Sequence, residues 1–242
     1  MRHVLTLRKT ILIFGFALAT FGCAANEDFD EAKEVLAAVY SYRANGELSR
    51  YVKFEYDSNG RMTKGSFYNA SGELSNYSEI EHDSKGNETK WSGYDANGNL
   101  LYITETEYDS EGNETKANLY QNANVELDAY IEYEYDSNGN RTKLRAYTAN
   151  GELSSYSEYE YDSKGNRTKC REYAANGELS GYGEYEYDSN GNMTKWRDYY
   201  ANGEPSGFYG EYEYDSNGNM TKISDYNENG ELYSYIVYLY KR

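Results

Sequence analysis

Short runs in which tyrosine alternates with polar residues recur along most of the chain, as in the segment from Tyr156 to Tyr161. A period of two residues predicts β-strands with one packed face and one solvated face. The runs are separated by short glycine-containing segments of the kind that join the strands of a hairpin. The pattern therefore predicts an all-β chain of antiparallel hairpins connected as a meander.

The hairpins belong to a repeat, because the phrase Tyr-Asp-x-x-Gly-Asn-x-Thr-Lys returns at nearly fixed spacing. Its aspartates lie 26 or 27 residues apart, at positions 57, 83, 109, 136, 162, 188 and 215, and His82 opens a degenerate copy. A second phrase, Ala-Asn-Gly-Glu-Leu, lies between successive copies, as at Ala149–Leu153. Each period of about 26 residues thus contains two strands and two turns, and such a period indicates a stacked array.

The residues around the turn glycines predict the type of turn. The residue before the glycine is Asn, Lys or Glu, as in Lys164-Gly165. Lysine and glutamate tolerate a left-handed backbone poorly, so we predict three-residue loops in which a type I turn is followed by a glycine bulge. Val125 stands where one glycine is expected, and a β-branched residue disfavours positive φ. We predict a rebuilt turn at that copy.

Pairing the strands outward from the turns of the copy around residue 150 assigns the two faces of the sheet. One face is expected to contain Tyr147, Leu153, Tyr159, Tyr161, Lys143 and Arg145. The other is expected to contain Thr142, Leu144, Ala146, Tyr156, Glu158 and Glu160. Cross-strand neighbours lie about 5 Å apart, which predicts tyrosine ladders along the array. Lys169 or Lys195 is expected to lie over a ring as a cation–π contact.

Neither face is rich in aliphatic residues, so the core must consist largely of tyrosine. We therefore predict a curled or spiral β-sheet, with a single flat layer as the alternative. A sheet of this kind ends in exposed strands, through which copies of the chain could self-associate.

Residues 1–22 differ from the rest of the chain and indicate a secretory signal peptide. Basic residues, of which Arg2 is the first, precede an apolar run at residues 11–21. This run is shorter than the about 20 residues that a membrane-spanning helix needs. Cys23 follows Gly22 at the end of the run and resembles the lipobox cysteine of bacterial lipoproteins, which is lipidated.

The predicted organisation is therefore a signal peptide at residues 1–22, a lipidated Cys23 with a tether or short capping helix at 23–37, and a repeat domain at 38–242. The predicted location is the bacterial outer membrane or cell surface, through the lipid anchor. Ordinary cleavage without lipidation would instead give a periplasmic or secreted protein.

The formal charge of −17 bears on the possible partners. A chain this acidic should repel nucleic acids, so no nucleic-acid partner is expected. High charge with low hydropathy is also typical of disordered chains. The 31 tyrosines argue for a folded sheet, because they stand at regular positions rather than being scattered.

The candidate chemistry is sparse. Repeated carboxylates suggest no catalytic pair, since catalysis needs one asymmetric pocket and every copy offers the same residues. We therefore predict no enzyme, no catalytic residue, no metal and no cofactor. Cys170 takes a position that Trp91, Leu144, Trp196 and Ile223 occupy in other copies, which predicts a small apolar residue on the sheet.

The turn aspartates offer a further possibility. Asp-Ser-Asn-Gly-Asn resembles the start of a calcium loop, but the twelfth position counted from Asp57 is Tyr68 instead of glutamate. Aspartate is also favoured beside turns, where its side chain bonds to the backbone. We favour turn chemistry and keep a calcium-binding surface array as a weaker alternative.

The phrase Tyr-x-Tyr-Asp-x-x-Gly-Asn-x-Thr-Lys, as at residues 159–169, resembles the YD repeat of RHS proteins and related bacterial surface arrays. The resemblance covers about residues 38–242. It implies a curled β-sheet shell in a secreted or surface protein. The large family members enclose a C-terminal toxin or partner domain, and this chain stops inside a repeat without such a domain, so a toxin function is not expected.

Two functions remain. The first is a binding or adhesion module for a glycan or a protein, because exposed aromatic rings stack on ligands and serve as interface hot spots. The candidate binding face consists of Tyr133, Tyr159, Tyr161, Tyr185, Tyr187 and Tyr212. The second is a structural spacer or envelope component whose tyrosines form the core. Solvent exposure of Tyr159 and Tyr185 distinguishes the two.

Overall fold

The computed structural model describes residues 34–121 and 126–241, and most of these residues lie in strands. The strands are β1 (Val35–Arg43), β2 (Leu48–Tyr56), β3 (Met62–Asn69), β4 (Leu74–His82), β5 (Glu88–Asp95), β6 (Leu100–Tyr108), β7 (Glu114–Gln121), β8 (Glu126–Tyr135), β9 (Arg141–Thr148), β10 (Leu153–Tyr161), β11 (Arg167–Ala174), β12 (Leu179–Tyr187), β13 (Met193–Tyr200), β14 (Pro205–Tyr214), β15 (Met220–Asn227) and β16 (Leu232–Lys241). Within these two ranges there is no helix that could cross a membrane.

Several predictions concern residues outside the described ranges. They are the signal peptide at residues 1–22, the lipidated Cys23, most of the tether or capping helix at 23–37, and the rebuilt turn at Val125. The last residues of the predicted tether are described, and they belong to β1. The first strand thus begins at Val35, three residues before the predicted start of the repeat domain.

The strands form an antiparallel meander that closes on itself. Each strand pairs with its neighbours in sequence, and β1 pairs with β16 from Val35 opposite Lys241 to Arg43 opposite Ser234. The all-β meander is confirmed, but the spiral and single-layer arrangements are wrong, because the sheet is a closed barrel of 16 strands. Closure satisfies the backbone groups of both end strands, so the edges predicted for self-association are used within the chain.

The turns have the predicted geometry. At the turn between β10 and β11, the N–H of Gly165 donates to the carbonyl of Asp162 (3.1 Å), and the N–H of Asp162 donates to Asn166 (2.9 Å). Gly165 has a φ of +85°, which glycine adopts without steric cost. These bonds define a three-residue loop with a glycine bulge. The turn between β9 and β10 repeats the pattern with Thr148 and Gly151.

In the turns of the Tyr-Asp series the aspartate side chain adds hydrogen bonds to this backbone pattern. Oδ1 of Asp162 accepts the backbone N–H groups of Lys164 (2.8 Å) and Asn166 (2.9 Å), while Oδ2 accepts the Asn166 side-chain amide (2.9 Å). The amide of Asn166, followed by the backbone bonds, holds the pKa of this carboxyl below its usual value. The carboxylate oxygens are thus engaged by the turn itself, which supports turn chemistry over a calcium loop.

The predicted assignment of side chains to faces is wrong. A β-bulge shifts the register between Leu153 and Ser155, so Ser155 lies opposite Ala146 and Ser157 lies opposite Leu144. A shift of one residue moves every following side chain to the other face. Tyr159 and Tyr161 therefore share a face with Leu144 and Ala146. The other face holds Tyr156, Glu158, Glu160, Lys143, Arg145 and Tyr147.

The face with Tyr159 lines the inside of the barrel. Most of the buried apolar side chains lie on it, namely Ile80, Ala117, Ala146, Ile223, Ile236 and Tyr238. A core cluster of Leu36, Ile223, Ile236 and Tyr238 packs this face across the join between the first and last strands. The charged positions on the outer face are more exposed. We call the inner surface the lumen wall.

Stacked tyrosine pairs cover the outer face. Tyr156 and Tyr173 stack with ring centroids 4.6 Å apart and an interplanar angle of 10°. The stacking joins the two strands of one hairpin, so most of the tyrosines form pairs in place of the predicted ladder through successive copies. Tyr40, Tyr51 and Tyr68 form a run of three. Lys169 lies 4.1 Å from the ring centroid of Tyr182, and Lys195 lies 4.6 Å from that of Tyr209, which confirms the predicted cation–π contacts.

Candidate functional site on the lumen wall

Four residues of the predicted binding face occupy equivalent positions on the lumen wall. We call them the inner tyrosines: Tyr133, Tyr159, Tyr185 and Tyr212. They lie on β8, β10, β12 and β14, because each copy contributes two strands. A strand and the next but one are about 10 Å apart in the sheet. The rings therefore form a widely spaced row around the wall.

Burial changes the acidity of the inner tyrosines. It raises the pKa of Tyr159 to about 12, and it raises the pKa of Tyr133, Tyr185 and Tyr212 well above the ordinary value of 10. Their hydroxyls are therefore protonated at neutral pH and able to donate a hydrogen bond.

The lumen wall is not a sealed core. The inner tyrosines are half-buried, and no large side chain in the described ranges is fully buried. Barrels of 16 strands are wide enough to leave a channel between their walls. Tyr159 and Tyr185 are thus not an exposed outer strip, because they lie half-buried on the inner face of the barrel.

Tyr161 and Tyr187, the other two residues of the predicted face, have a structural role. Their hydroxyls donate to the carbonyl oxygens of Arg141 (2.8 Å) and Arg167 (2.9 Å) on the preceding hairpin. The same link recurs at four other copies. We call the full set the rim tyrosines: Tyr56, Tyr108, Tyr161, Tyr187, Tyr214 and Tyr240. Each of them fastens its own strand to the strand that precedes it in the chain, whereas the hydroxyl of Tyr135 accepts a hydrogen bond from Arg141 (3.3 Å).

Two arginines that sequence analysis did not single out lie among these rings. The guanidinium of Arg141 lies 4.2 Å from the ring centroid of Tyr133 and donates to Glu114 (2.7 Å). The guanidinium of Arg167 lies 4.6 Å from the ring centroid of Tyr185. Their Nε atoms are the buried side-chain atoms without a hydrogen-bond partner in the described part of the chain. Both arginines occupy the variable position after Gly-Asn in the repeat phrase, and this is the sequence feature that could have indicated them.

Three carboxylates also face the lumen, two positions beyond Cys170, Trp196 and Ile223. They are Glu172, Asp198 and Asp225, on β11, β13 and β15. Each lies opposite a glycine of the next or the preceding strand. Burial raises the pKa of Asp225, whose Oδ2 accepts a hydrogen bond from the Ser234 hydroxyl (3.0 Å).

Two aromatic rings lie directly against the backbone of glycines. A Cβ built on Gly210 would lie 2.0 Å from Nε1 of Trp196, and one built on Gly93 would lie 1.9 Å from the ring of Tyr102. Only glycine leaves room for a ring there. The ring in turn covers a position of the strand that has no side chain to pack. Sequence analysis missed both contacts, because the bulges displace the register of the adjacent strands on which the residues lie.

Cys170 lies on the lumen wall in register with Tyr159 and Gly183. Burial raises the pKa of its thiol to about 11. This environment fits the predicted role of a small apolar residue. Within the described residues, no group of three His, Cys, Asp or Glu side chains could hold a metal ion.

Comparison with known proteins identifies the fold but no family. No family model matches the chain, and no curated protein matches its sequence. A porin-like protein from Bacteroides vulgatus is 13% identical, with a TM-score of 0.56 over 86% of this chain and 99% of that chain. A porin-like protein from Bacteroides uniformis is 11% identical, with a TM-score of 0.54 over 85% of this chain and 98% of that chain.

This chain shares its barrel fold with the porin-like proteins, and identity this low shows the fold alone. A chain of the Tc holotoxin pore from Photorhabdus luminescens is 18% identical over 78% of this chain, with a TM-score of 0.37. This chain spans 10% of the length of that toxin chain. The resemblance to YD-repeat proteins therefore stays a prediction.

Proposed function

We propose that this protein is a non-enzymatic binding barrel of the bacterial cell envelope, which takes up a glycan or a protein segment along its lumen wall. The observation that carries the proposal is the row of inner tyrosines. Their hydroxyls are protonated at neutral pH, and their rings lie in a row on the inner face of the closed barrel.

The contrast with the rim tyrosines supports this role. Tyr161 and Tyr187 use their hydroxyls to link backbone segments, whereas Tyr159 and Tyr185 place their rings on the inner face beside Arg167. Binding sites combine apolar walls with a few polar groups that fix orientation. The lumen wall has both, since the rings lie beside Arg167 and the carboxylate of Asp198.

The proposed location is the aqueous side of the envelope, with the barrel held by a lipid on Cys23. The porin-like neighbours make an envelope location natural. The outer wall, however, contains ion pairs such as Lys143–Glu158 and Lys169–Glu184, each 2.8 Å long. A lysine facing lipid costs about 2–4 kcal/mol at the bilayer midplane. We therefore place the barrel in water beside the membrane and not across it.

A structural spacer is the second candidate. The rim tyrosines favour it, because a rigid hydrogen-bonded wall is useful without any ligand. In this alternative the inner tyrosines would only fill space, and substituting them would change stability without changing any interaction.

The test is a glycan-array and cell-binding assay of the purified protein. The lumen variant is Tyr159→Ser with Tyr185→Ser, and the matched control is Tyr156→Ser with Tyr182→Ser on the outer wall of the same strands. We expect the lumen variant to lose the wild-type ligand and the control to keep it, with both folds verified by circular dichroism. Loss in the control alone, or no wild-type ligand at all, would contradict the proposal.

A further inference from the structure

We propose that an aromatic cluster at one mouth of the barrel binds a lysine- or arginine-rich segment of a partner protein. This mouth is the end of the barrel at which the Ala-Asn-Gly turns lie. The cluster, which we call the mouth aromatics, consists of Tyr200 at the end of β13, Phe208 near the start of β14 and Tyr233 near the start of β16. It shares no residue with the inner tyrosines, so the inference goes beyond the proposed function.

The mouth aromatics are open to solvent. Their exposed fractions are 54% for Tyr200, 44% for Phe208 and 64% for Tyr233. The rings of Phe208 and Tyr233 meet edge to face, with centroids 5.5 Å apart. The hydroxyl of Tyr200 donates to the carbonyl of Ser206 (3.4 Å). A Cβ built on Gly207, the next residue, would meet no atom of the described chain within 4 Å beyond its sequence neighbours, so free space adjoins Phe208.

The repeat does not require rings at these positions. In earlier copies the register places small side chains at the positions of Tyr200, Phe208 and Tyr233, namely Ala174, Ser155 and Ser154, respectively. Three large side chains thus replace small ones near the end of the chain, and they stay exposed. Exposed rings gathered at one place are typical of an interaction site and not of a core.

Carboxylates border the mouth aromatics and set the charge of the partner. Glu204 lies in the turn between β13 and β14, and Glu228 and Glu231 lie in the turn between β15 and β16. All three are exposed, and none forms an ion pair within the part of the chain that the structure describes. The cation at the end of the adjacent β1, Arg43, is already paired with Glu47 (3.3 Å). An acidic border around exposed rings complements a basic segment.

A basic side chain can use both parts of this surface. Its aliphatic stem packs on a ring, and its charged end lies over a ring face or beside a carboxylate. The outer wall of the barrel shows the same combination, since Lys169 lies 4.1 Å from the ring centroid of Tyr182 and pairs with Glu184 (2.8 Å). A partner's lysine would repeat this arrangement at the mouth.

Charge argues against the other occupants. A second copy of the chain and an anionic glycan would both be repelled, because the net charge is −17. A neutral glycan could stack on the rings, but the carboxylates would add no attraction to it. Only a basic segment gains from the rings and from the charge.

The experiment measures binding of fluorescein-labelled hexalysine and hexaarginine to the wild-type protein by fluorescence anisotropy at about 150 mM salt. Labelled hexaglutamate and cellohexaose are the anionic and neutral probes. We expect the basic peptides to bind and the other two probes not to bind. The mouth variant is Tyr200→Ala with Phe208→Ser and Tyr233→Ser, which restores the residues of other copies. It should weaken binding by about tenfold or more.

Two controls match this variant. Leu101→Ser removes an apolar side chain that is 44% exposed at the bulge of β6, a position equivalent to that of the β16 tyrosine, and should bind as wild type does. Glu204→Gln with Glu231→Gln should weaken binding and reduce its dependence on salt. The same exchange at Glu152 and Glu178, in turns of other copies, should have a smaller effect.

Equal binding by the wild type and the mouth variant, or no binding of either basic peptide, would overturn the proposal. Binding of cellohexaose that the mouth variant loses would replace the basic segment with a sugar. Self-association that the mouth variant loses, in analytical ultracentrifugation, would replace it with a second copy.

The lumen variant Tyr159→Ser with Tyr185→Ser should bind the basic peptides as wild type does, so this proposal and the proposed function fail independently. Should the mouth variant misfold, Tyr233→Ser alone decides, because this side chain is the most exposed of the three.

Discussion

The turn aspartates show how one residue type sets local structure at every copy. Asp162 accepts three hydrogen bonds within its own loop, and the same arrangement recurs at Asp188 and Asp215. The turn at Asn227 uses an amide oxygen for the same backbone donors. Asparagine therefore makes the same hydrogen bonds to the backbone without a negative charge. The contribution of the hydrogen bonds can thus be separated from that of the charge.

Acid should destabilise the barrel through these residues. The pKa of each turn aspartate is lowered in the folded state, so the stabilisation is present above the unfolded value and is lost as pH falls through the folded one. We expect the melting temperature to fall below about pH 4, near the unfolded pKa. Replacing Asp136, Asp162, Asp188 and Asp215 with Asn should flatten this dependence, as measured by circular dichroism. An unchanged pH profile would contradict the role of the carboxylates.

Cys170 should be unreactive in the folded protein. Burial raises the pKa of its thiol to about 11, so little thiolate is present at pH 8. Reaction with a disulfide reagent should be about 100-fold slower than for a free thiol, and urea should restore the ordinary rate. Rapid labelling of the native protein would show that the thiol ionises readily and would contradict the raised pKa.

At the scale of the element, the turns and the strands were predictable and the register was not. The position of Gly165 after a lysine was enough to define a three-residue loop. The bulge beside Leu153 is not visible in the residue pattern, because serine at position 154 suits either a bulge or a regular strand. That one residue reversed the assignment of Tyr159 relative to Leu144.

The rim tyrosines should each add a measurable amount to the joining of hairpins. Tyr161→Phe removes the bond from the hydroxyl to the carbonyl of Arg141 and keeps the ring. We expect a loss of about 1 kcal/mol in the free energy of unfolding by urea. Tyr156→Phe, on the outer wall of the same strand, is the control and should change little. Equal effects for the two variants would exclude a special role of the rim.

At the scale of the molecule, closure gives the repeat a distinct inside and outside. The copies were evident in the sequence, but closure depends on how far the register advances around all 16 strands. The residues that meet at the join are Tyr42 and Tyr235, whose rings stack 4.9 Å apart although they lie at opposite ends of the chain. The same displacement of register concealed the contact between Trp196 and Gly210.

Closure can be tested with a disulfide across the join. Residues directly opposite one another on antiparallel strands are about 4.5–5.5 Å apart at Cα, which is within the range of a disulfide. In a Cys170→Ser background, Tyr42→Cys with Tyr235→Cys should give an intrachain bond on oxidation. Tyr42→Cys with Tyr156→Cys, on distant strands, should give none. Only intermolecular products from the first pair would indicate an open sheet.

The lumen wall as the recognition surface is the central claim. Hydroxyl-radical footprinting with and without a ligand found in the binding assay tests this claim most directly. The measurement reports protection at individual residues. We predict that the ligand protects Tyr159 and Tyr185 and leaves the outer Tyr156 and Tyr182 unchanged. Protection of the outer pair with no change at the inner residues would place recognition on the other face and contradict the account.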